Sequence, residues 1–463
     1  METIMIIVFV LGYLAITLEH NLKIDKLIPA LTMMAVLWAL MSFGIDGFTT
    51  WFDSGNHALM DNFSALGHEA KLHILEESLL HHLGKTAEIL VFLIGAMTIV
   101  EIIDYFDGFA TIKGFIRTKK KTKILWIFSF LAFLLSAIID NLTATIVLIS
   151  ILQKIVFNRN DRLWFAGLII VAANAGGAWS PIGDVTTTML WIGNKVTTLN
   201  LITYLLIPSL VCMVIPTFIA SLLPAFKGDI DGDDSDSKPK SKYSATMLYL
   251  GLSAIVFVPI FKTVTHLPPY VGMMLSLALV ATFAEIYSGS KFSLSSIDEE
   301  SDEAARHSPV HHSLSKIELP SILFFLGILM AVAALESLGM LFGFADTLKQ
   351  SMPMLGTELE GAQVSDLVLM LLGVGSAVID NVPLVAASLG MFTEGLDDPL
   401  WHFIAFSAGT GGSMLIIGSA AGVVAMGMEK IDFFWYFKKI AWLALIGFLA
   451  GSICFIIMRN FVL

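Results

Sequence analysis

Charge is scarce in this chain of 463 residues: Asp, Glu, Lys and Arg make up 14% of it, against a 56% share of hydrophobic side chains. A soluble protein carries about a quarter charged residues, so a string of soluble domains is excluded despite the length. Cysteine is scarcer still. Cys212 and Cys454 both fall in apolar runs and read as buried thiols, so cysteine usage says nothing about redox compartment. No basic run is long enough for nucleic acid. Lys119-Lys120-Lys121-Thr122-Lys123 is short and abuts an apolar segment, as a cytoplasmic loop does. No basic leader or small-residue cleavage site accompanies the apolar stretch 1–18, which is expected to be a retained first span rather than a signal peptide. The net charge of −12 points to no partner, because acids and bases lie in different loops.

What the chain does have is long apolar runs, 33 Phe and 22 Met, with a mean hydropathy of +0.81. Most of these runs reach the roughly 20 residues that a helix needs to cross a bilayer. Their charges are swept into short connectors, the pattern of an all-α polytopic membrane protein. Two pairs of runs, 124–139/142–157 and 364–379/382–393, are short and interrupted by Asp-Asn. Two longer ones, 163–193 and 400–427, break at Gly176-Gly177 with Ser180-Pro181, and at Gly409-Thr410-Gly411-Gly412. Breaks of this kind free backbone groups that must be satisfied inside protein or a wet cavity.

The interrupted segments are duplicated. Ser136-Ala137-Ile138-Ile139-Asp140-Asn141 is nearly copied 240 residues later as Ser376-Ala377-Val378-Ile379-Asp380-Asn381. At an offset of 235, Glu101, Gly108, Phe109 and Ala110 match Glu336, Gly343, Phe344 and Ala345, and Gly176-Gly177 and Gly183 match Gly411-Gly412 and Gly418. The repeats cover approximately 86–223 and 320–458. The expected division is an N-terminal part of scaffold spans and external loop, 1–85, repeat 1 over 86–223, cytoplasmic loops and linking spans over 224–319, and repeat 2 over 320–463.

Charge bias orients them. With 124–157 and 364–393 as re-entrant hairpins and the N-terminus outside, loops 19–26, 110–123, 154–162, 224–244, 288–318 and 428–439 fall inside. They hold 21 of the 27 Lys and Arg residues. Two full spans over 124–157 would instead place one flanking basic loop outside, against positive-inside bias. The first hairpin then opens to the cytoplasm and the second, flanked by Glu358, Glu360, Glu394, Asp397 and Asp398, to the exterior. The expected fold is two inverted-topology repeats with re-entrant hairpins and discontinuous helices, plus scaffold helices. Connectors 44–85, 227–242 and 288–318 are expected to face solvent.

An ionisable side chain at membrane depth is costly and usually functional. Asp140, Asn141 and Thr143, with Asp380 and Asn381, offer carboxylate and amide oxygens where a helix breaks, which suits a hard cation. The bland reading is that they only cap half-helices. In the first broken helix, Asn174, Ser180, Asp184 and Thr187 add oxygen, and Asp184 has no acidic counterpart in the second, where Thr410, Ser413 and Gly418-Ser419 stand. That asymmetry marks Asp184 as a candidate for exchanging protons against cations. A cation is expected at Asp140, Asn141, Asp380 and Asn381, and Glu101, Asp104 and Glu336 could extend a proton path. Thr98 and Thr145 read as helix-packing residues. The histidines of 44–85 and 288–318 have irregular spacing and no cysteine, which argues against a metal site. A hydrolase built on Asp140 and Gly183-Asp184 leaves the repeats unexplained, so no enzyme is expected.

These motifs carry a family resemblance. Residues 137–145, 173–187 and 378–385, with the stretch Glu88 to Glu101, resemble the NhaD-type sodium/proton antiporters of the ion transporter superfamily, from about residue 84 onward. The resemblance implies a homodimer in the inner membrane of a bacterium, exchanging Na⁺ or Li⁺ for H⁺ with no resident cofactor. It also brings a rival, a sodium-coupled dicarboxylate or oxyanion carrier of the same superfamily; a passive cation channel is a rival from a different class. Dicarboxylate carriers of the superfamily hold Ser-Asn-Thr at the hairpin tips. Here the tips are Asp140-Asn141-Leu142-Thr143 and Asp380-Asn381-Val382-Pro383, which favours a small cation.

Overall fold

A computed structural model describes residues 1–17, 24–53, 58–60, 62–113, 118–153, 155–230, 243–288, 308–317, 319–340, 365–379 and 381–461. Asp380, Gly343, Phe344, Ala345, Glu358 and Glu360 lie outside the described residues. Eight of the described helices are long and apolar enough to cross a membrane. Helices prevail because, without water, each backbone N–H and C=O must find its partner within the segment.

The chain begins with α1 (Glu2–Thr17) and α2 (Leu27–Gly44), then α3 (His68–Tyr105). The first hairpin is α4 (Lys121–Ile139) and α5 (Asn141–Gln153), and the first broken helix is α6 (Arg159–Gly177) and α7 (Val185–Ile192), followed by α8 (Thr198–Leu222). Two linking helices, α9 (Ser244–Thr265) and α10 (Pro269–Ser288), lead to α11 (Leu319–Ser337). The second hairpin is α12 (Asp366–Ile379) and α13 (Asn381–Met391). The second broken helix is α14 (Pro399–Gly411) and α15 (Ala420–Glu429), and α16 (Ala441–Phe461) closes the chain. A two-stranded ribbon, Phe52–Asp53 with Ala58–Leu59, lies between α2 and α3.

Ion pairs show that the hairpins turn back. Lys121, at the start of α4, pairs with Asp161 at 2.8 Å, just beyond the end of α5. The same face carries Arg162 with Glu429 at 3.0 Å and Arg159 bonded to the Lys430 carbonyl, where α6 begins and α15 ends. Asp366, at the start of α12, instead pairs with Arg459 at 2.6 and 2.9 Å near the end of α16. One turn away Phe455 stacks on Phe403 of α14, and Lys195, after α7, donates to the Glu394 carbonyl beyond α13. The two hairpins therefore open to opposite faces, and the two broken helices cross in opposite senses.

The duplication extends to backbone packing. Ser136 donates to the Ala173 carbonyl at 2.6 Å, and Ser376 to the Ala408 carbonyl at 2.8 Å. A side chain at Gly176 would run into the Phe133 carbonyl, and one at Gly411 into that of Gly373. Only glycine lets hairpin and broken helix approach this closely.

The segment 44–85 departs from the expectation of a solvent-facing connector. Phe48, Trp51, Phe52 and Phe63 are buried, and α3 begins at His68 rather than near residue 86. The run from His68 to Leu83 holds Leu72, Ile74, Leu75 and Leu79 packed against the core, so its polar residues mask a helix whose apolar face is used.

Candidate functional site

One residue links α4 to α5. Asp140 has φ 75° and ψ 161°, a region populated essentially by glycine and costing a side-chain-bearing residue about 1–3 kcal/mol. Its carboxylate accepts from the Thr143 amide and hydroxyl, both at 2.9 Å, and so caps α5. The polypeptide thus turns at the depth of the broken helices with a carboxylate at the bend.

The first half of the broken helix ends at Gly177, and Pro181, four residues on, has no N–H with which to continue the ladder. The chain resumes as a helix at Asp184, the N-cap of α7 at φ −152° and ψ 149°, whose Oδ1 accepts from the Thr186 amide at 2.9 Å and hydroxyl at 3.0 Å. In the second repeat Ser419 caps α15 at φ −151° and ψ 152°. The backbone is the same; the acid is present once.

Asp184, only 2% exposed, is where the repeats meet. The Asn141 amide nitrogen donates to its Oδ2 at 2.5 Å, and that of Asn381 donates to both of its oxygens at 3.2 and 3.0 Å. Asn141 also donates to Asn174 Oδ1 at 3.0 Å, and Asn174 donates to Ser419 Oγ at 2.9 Å. A buried carboxylate is tolerated only when such donors replace its water. Asp140 and Asp184 line one cavity of ≈ 10 Å³, walled by apolar side chains of α3, α9 and α10 such as Phe92, Ile255 and Met273. A cavity of about 10–15 Å³ holds a single water, and no Lys or Arg lines this one.

Asn141, Asn174, Asp184 and Asn381 of the candidate residues come together directly, with Asp140 and Thr143 beside them. Ser180, Thr187, Thr410 and Ser413 do not join this cluster. Ser180 Oγ accepts from the Ile182 amide, and the hydroxyls of Thr187, Thr410 and Ser413 bond to the carbonyls of Asp184, Phe406 and Thr410. They bond to backbone groups close to the breaks instead. Asp380 lies outside the described residues. Glu101 is half-buried and Asp104 exposed on α3, while Glu336 packs its carboxylate against Gly390 of α13. Among the described residues no three His, Cys, Asp or Glu side chains gather as a metal site.

Thr186 is in the cluster as one of the run of threonines offering oxygen after Asp184, and Ser419 without having been a candidate. Ser419 was open to discovery, since the offset of 235 maps it onto Asp184. Thr186 is found by the capping rule, since an N-cap accepts from the second or third residue after it.

Inverted hairpins, two broken helices and a buried polar cluster between them define a polytopic membrane transporter built from two repeats. Comparisons with known proteins agree. The family described as citrate transporter, CitMHS, matches residues 6–401. The chain is 39% identical to sodium/proton antiporter 1 of Arabidopsis thaliana over 99% of its own length and 73% of that protein. It is 31% identical to the Na⁺/H⁺ antiporter NhaD of Vibrio parahaemolyticus over 81% of its length and 90% of that protein. The crystal structure of the Alcanivorax borkumensis YdaH transporter, described as having an unusual topology, shares the fold at a TM-score of 0.53 and 14% identity, covering 94% of this chain and 97% of that one. The chain matches the CitMHS family over most of its length and belongs to the NhaD-type sodium/proton antiporters.

Proposed function

We propose that this protein exchanges Na⁺ or Li⁺ for H⁺ by alternating access, with Asp184 as the shared binding group. The observation that carries this reading is one buried carboxylate held by an asparagine from each repeat, in a cavity of ≈ 10 Å³. A cation and a proton compete for the same oxygens, so the site carries one or the other. An asparagine amide offers a donor to the ionised carboxylate and, turned over, an oxygen to a cation or a protonated acid. Asp140, Thr143 and Asn174 supply further oxygens, and Asp380 is the matching acid of the second hairpin. A loaded site is near neutral and can cross the barrier, whereas the empty, charged site crosses at much greater cost. That difference enforces exchange and separates it from a channel.

The basic face is cytoplasmic in this reading and the N-terminus external, in the inner membrane of a bacterium, with two copies forming a homodimer. Residues 86–223 and 320–458 are the transport repeats, with the spans 1–43 and 245–287 as scaffold. The family description raises a tricarboxylate as a rival cargo. A cavity of one water's size disfavours it, because a tricarboxylate does not fit there and Asp140 and Asp184 would repel its charge.

The test is purified protein in acid-inside proteoliposomes with a lumenal pH dye, given Na⁺, Li⁺ or K⁺ outside. Na⁺ and Li⁺ should alkalinise the lumen, and Asp140→Asn should abolish the response with membrane expression intact. Silence with all three cations, together with labelled citrate uptake, would replace this reading by the carrier.

A further inference from the structure

A second cavity, ≈ 230 Å³, lies between scaffold and repeats. Its walls are Asp25 and Lys26 ahead of α2 and Phe324 on the first turns of α11, and its floor is Leu142 and Ala420 with Val424 beside them. Leu142 follows Asn141 and Ala420 follows Ser419, so the floor abuts the polar cluster from both repeats. From that floor, α5 and α15 run toward the basic face, where Glu429 meets Arg162. The cavity is far above the volume of a single water.

Sequence offsets of 240 and 235 carry Leu142 and Ala420 onto Val382 and Val185. Among the described residues, Val382 is buried and Val185 lines the ≈ 10 Å³ cavity.

At the open mouth Asp25 is exposed, and its Oδ1 accepts from the Leu27 amide at 2.9 Å, which fixes the carboxylate at the rim. Lys26 lies half-buried with its Nζ 4.5 Å from the Phe324 ring centroid. The ammonium is thereby held against the wall, and the carboxylate faces solution.

We propose that this cavity is the aqueous route from the basic face to Asp184, and that Asp25 gathers cations at its mouth. The proposal rests on the exchange reading for its cargo, but the route itself is testable without transport. Val424→Cys, in a background with Cys212→Ala and Cys454→Ala, is exposed to a charged, membrane-impermeant methanethiosulfonate reagent in vesicles of either orientation. Asp229→Cys marks the basic face. Labelling of Val424→Cys only in the orientation that labels Asp229→Cys supports the route; labelling only in the other, or in neither, overturns it. Side-specific labelling in a protein that fails to exchange would keep the route and refute the exchange reading.

The role of Asp25 has its own readout. A single charge about 10 Å from a cation's path is worth about a two- to threefold change in local concentration. Asp25→Asn should raise the KM for Na⁺ by that factor at low ionic strength with kcat unchanged, and lose the effect in excess choline chloride. Asp25→Glu should restore the wild-type KM. An unchanged KM for Asp25→Asn, or a fall in kcat that Asp25→Glu does not repair, overturns the assignment.

Discussion

The two broken helices share a backbone and differ in chemistry. Asp184 and Ser419 cap α7 and α15 at dihedrals that agree within a few degrees, and each break is closed by a glycine pair against its own hairpin. Yet one cap is an acid and the other a hydroxyl, and Asn174 faces across to Ser419 where the second repeat has Gly409 at the matching position. The skeleton is duplicated because the same breaks must be packed twice. The cap charge is placed once because a carboxylate at 419 would add like-charge repulsion to Asp140 and Asp184, which already line one cavity.

The largest test of that difference makes the repeats alike. Asp184→Ser turns the first break into a copy of the second, and it should reduce Na⁺-driven proton movement in proteoliposomes on the order of a hundredfold or more. Adding Ser419→Asp should not rescue it, because the asparagines of both hairpins converge on residue 184. Recovery in the double variant would show that either repeat can hold the acid.

What the repeats share can be broken as well. Gly176→Ala and Gly411→Ala each push a Cβ into a facing carbonyl, and each should cost about 1–3 kcal/mol. Both should lower the thermal midpoint of the purified protein by similar amounts. A clear inequality would mean that one break carries more of the packing than the other.

The smallest effect lies at the exposed end of the second repeat. Burial alone would raise the pKa of Asp397, but the His402 ring 3.5 Å away and hydrogen bonds from Thr197 hold its carboxyl well below the usual carboxylate range. Thr197 donates its amide at 2.7 Å and its hydroxyl at 2.8 Å. A carboxyl depressed in the folded state stabilises the fold above its unfolded pKa, near 3.9, and loses that contribution as pH falls through the folded value. Thr197→Val should therefore lower the thermal midpoint at pH 7 by about 1 kcal/mol equivalent, and the gap to wild type should shrink below pH 4. A pH-independent gap would assign the loss to packing instead.

The Asp-Asn doublets, the glycine breaks and the lone Asp184 were legible because each is a local signal: a polar residue in an apolar run, or a missing N–H. The roles within a doublet were not. Asp140 serves its own helix through Thr143, three residues along, while Asn141 reaches Asp184 more than forty residues away. Sequence pairs the two residues as ligands; the turn at Asp140 sends them to different partners. The N-terminal half of α3 escaped for a related reason: its burial depends on which neighbours cover the stretch from His68 to Leu83, and its polar residues resemble a loop.

By itself the sequence determined the membrane, the helices and the inverted duplication. Hydrocarbon leaves few ways to satisfy a backbone, and charge bias orients what remains. Only the tertiary structure decided that Asn141 and Asn381 converge on one carboxylate, and that Ser180, Thr187, Thr410 and Ser413 turn to the backbone. Those outcomes depend on how two repeats are superposed in space, and cross-repeat distances of a few ångströms leave no mark on either copy read alone.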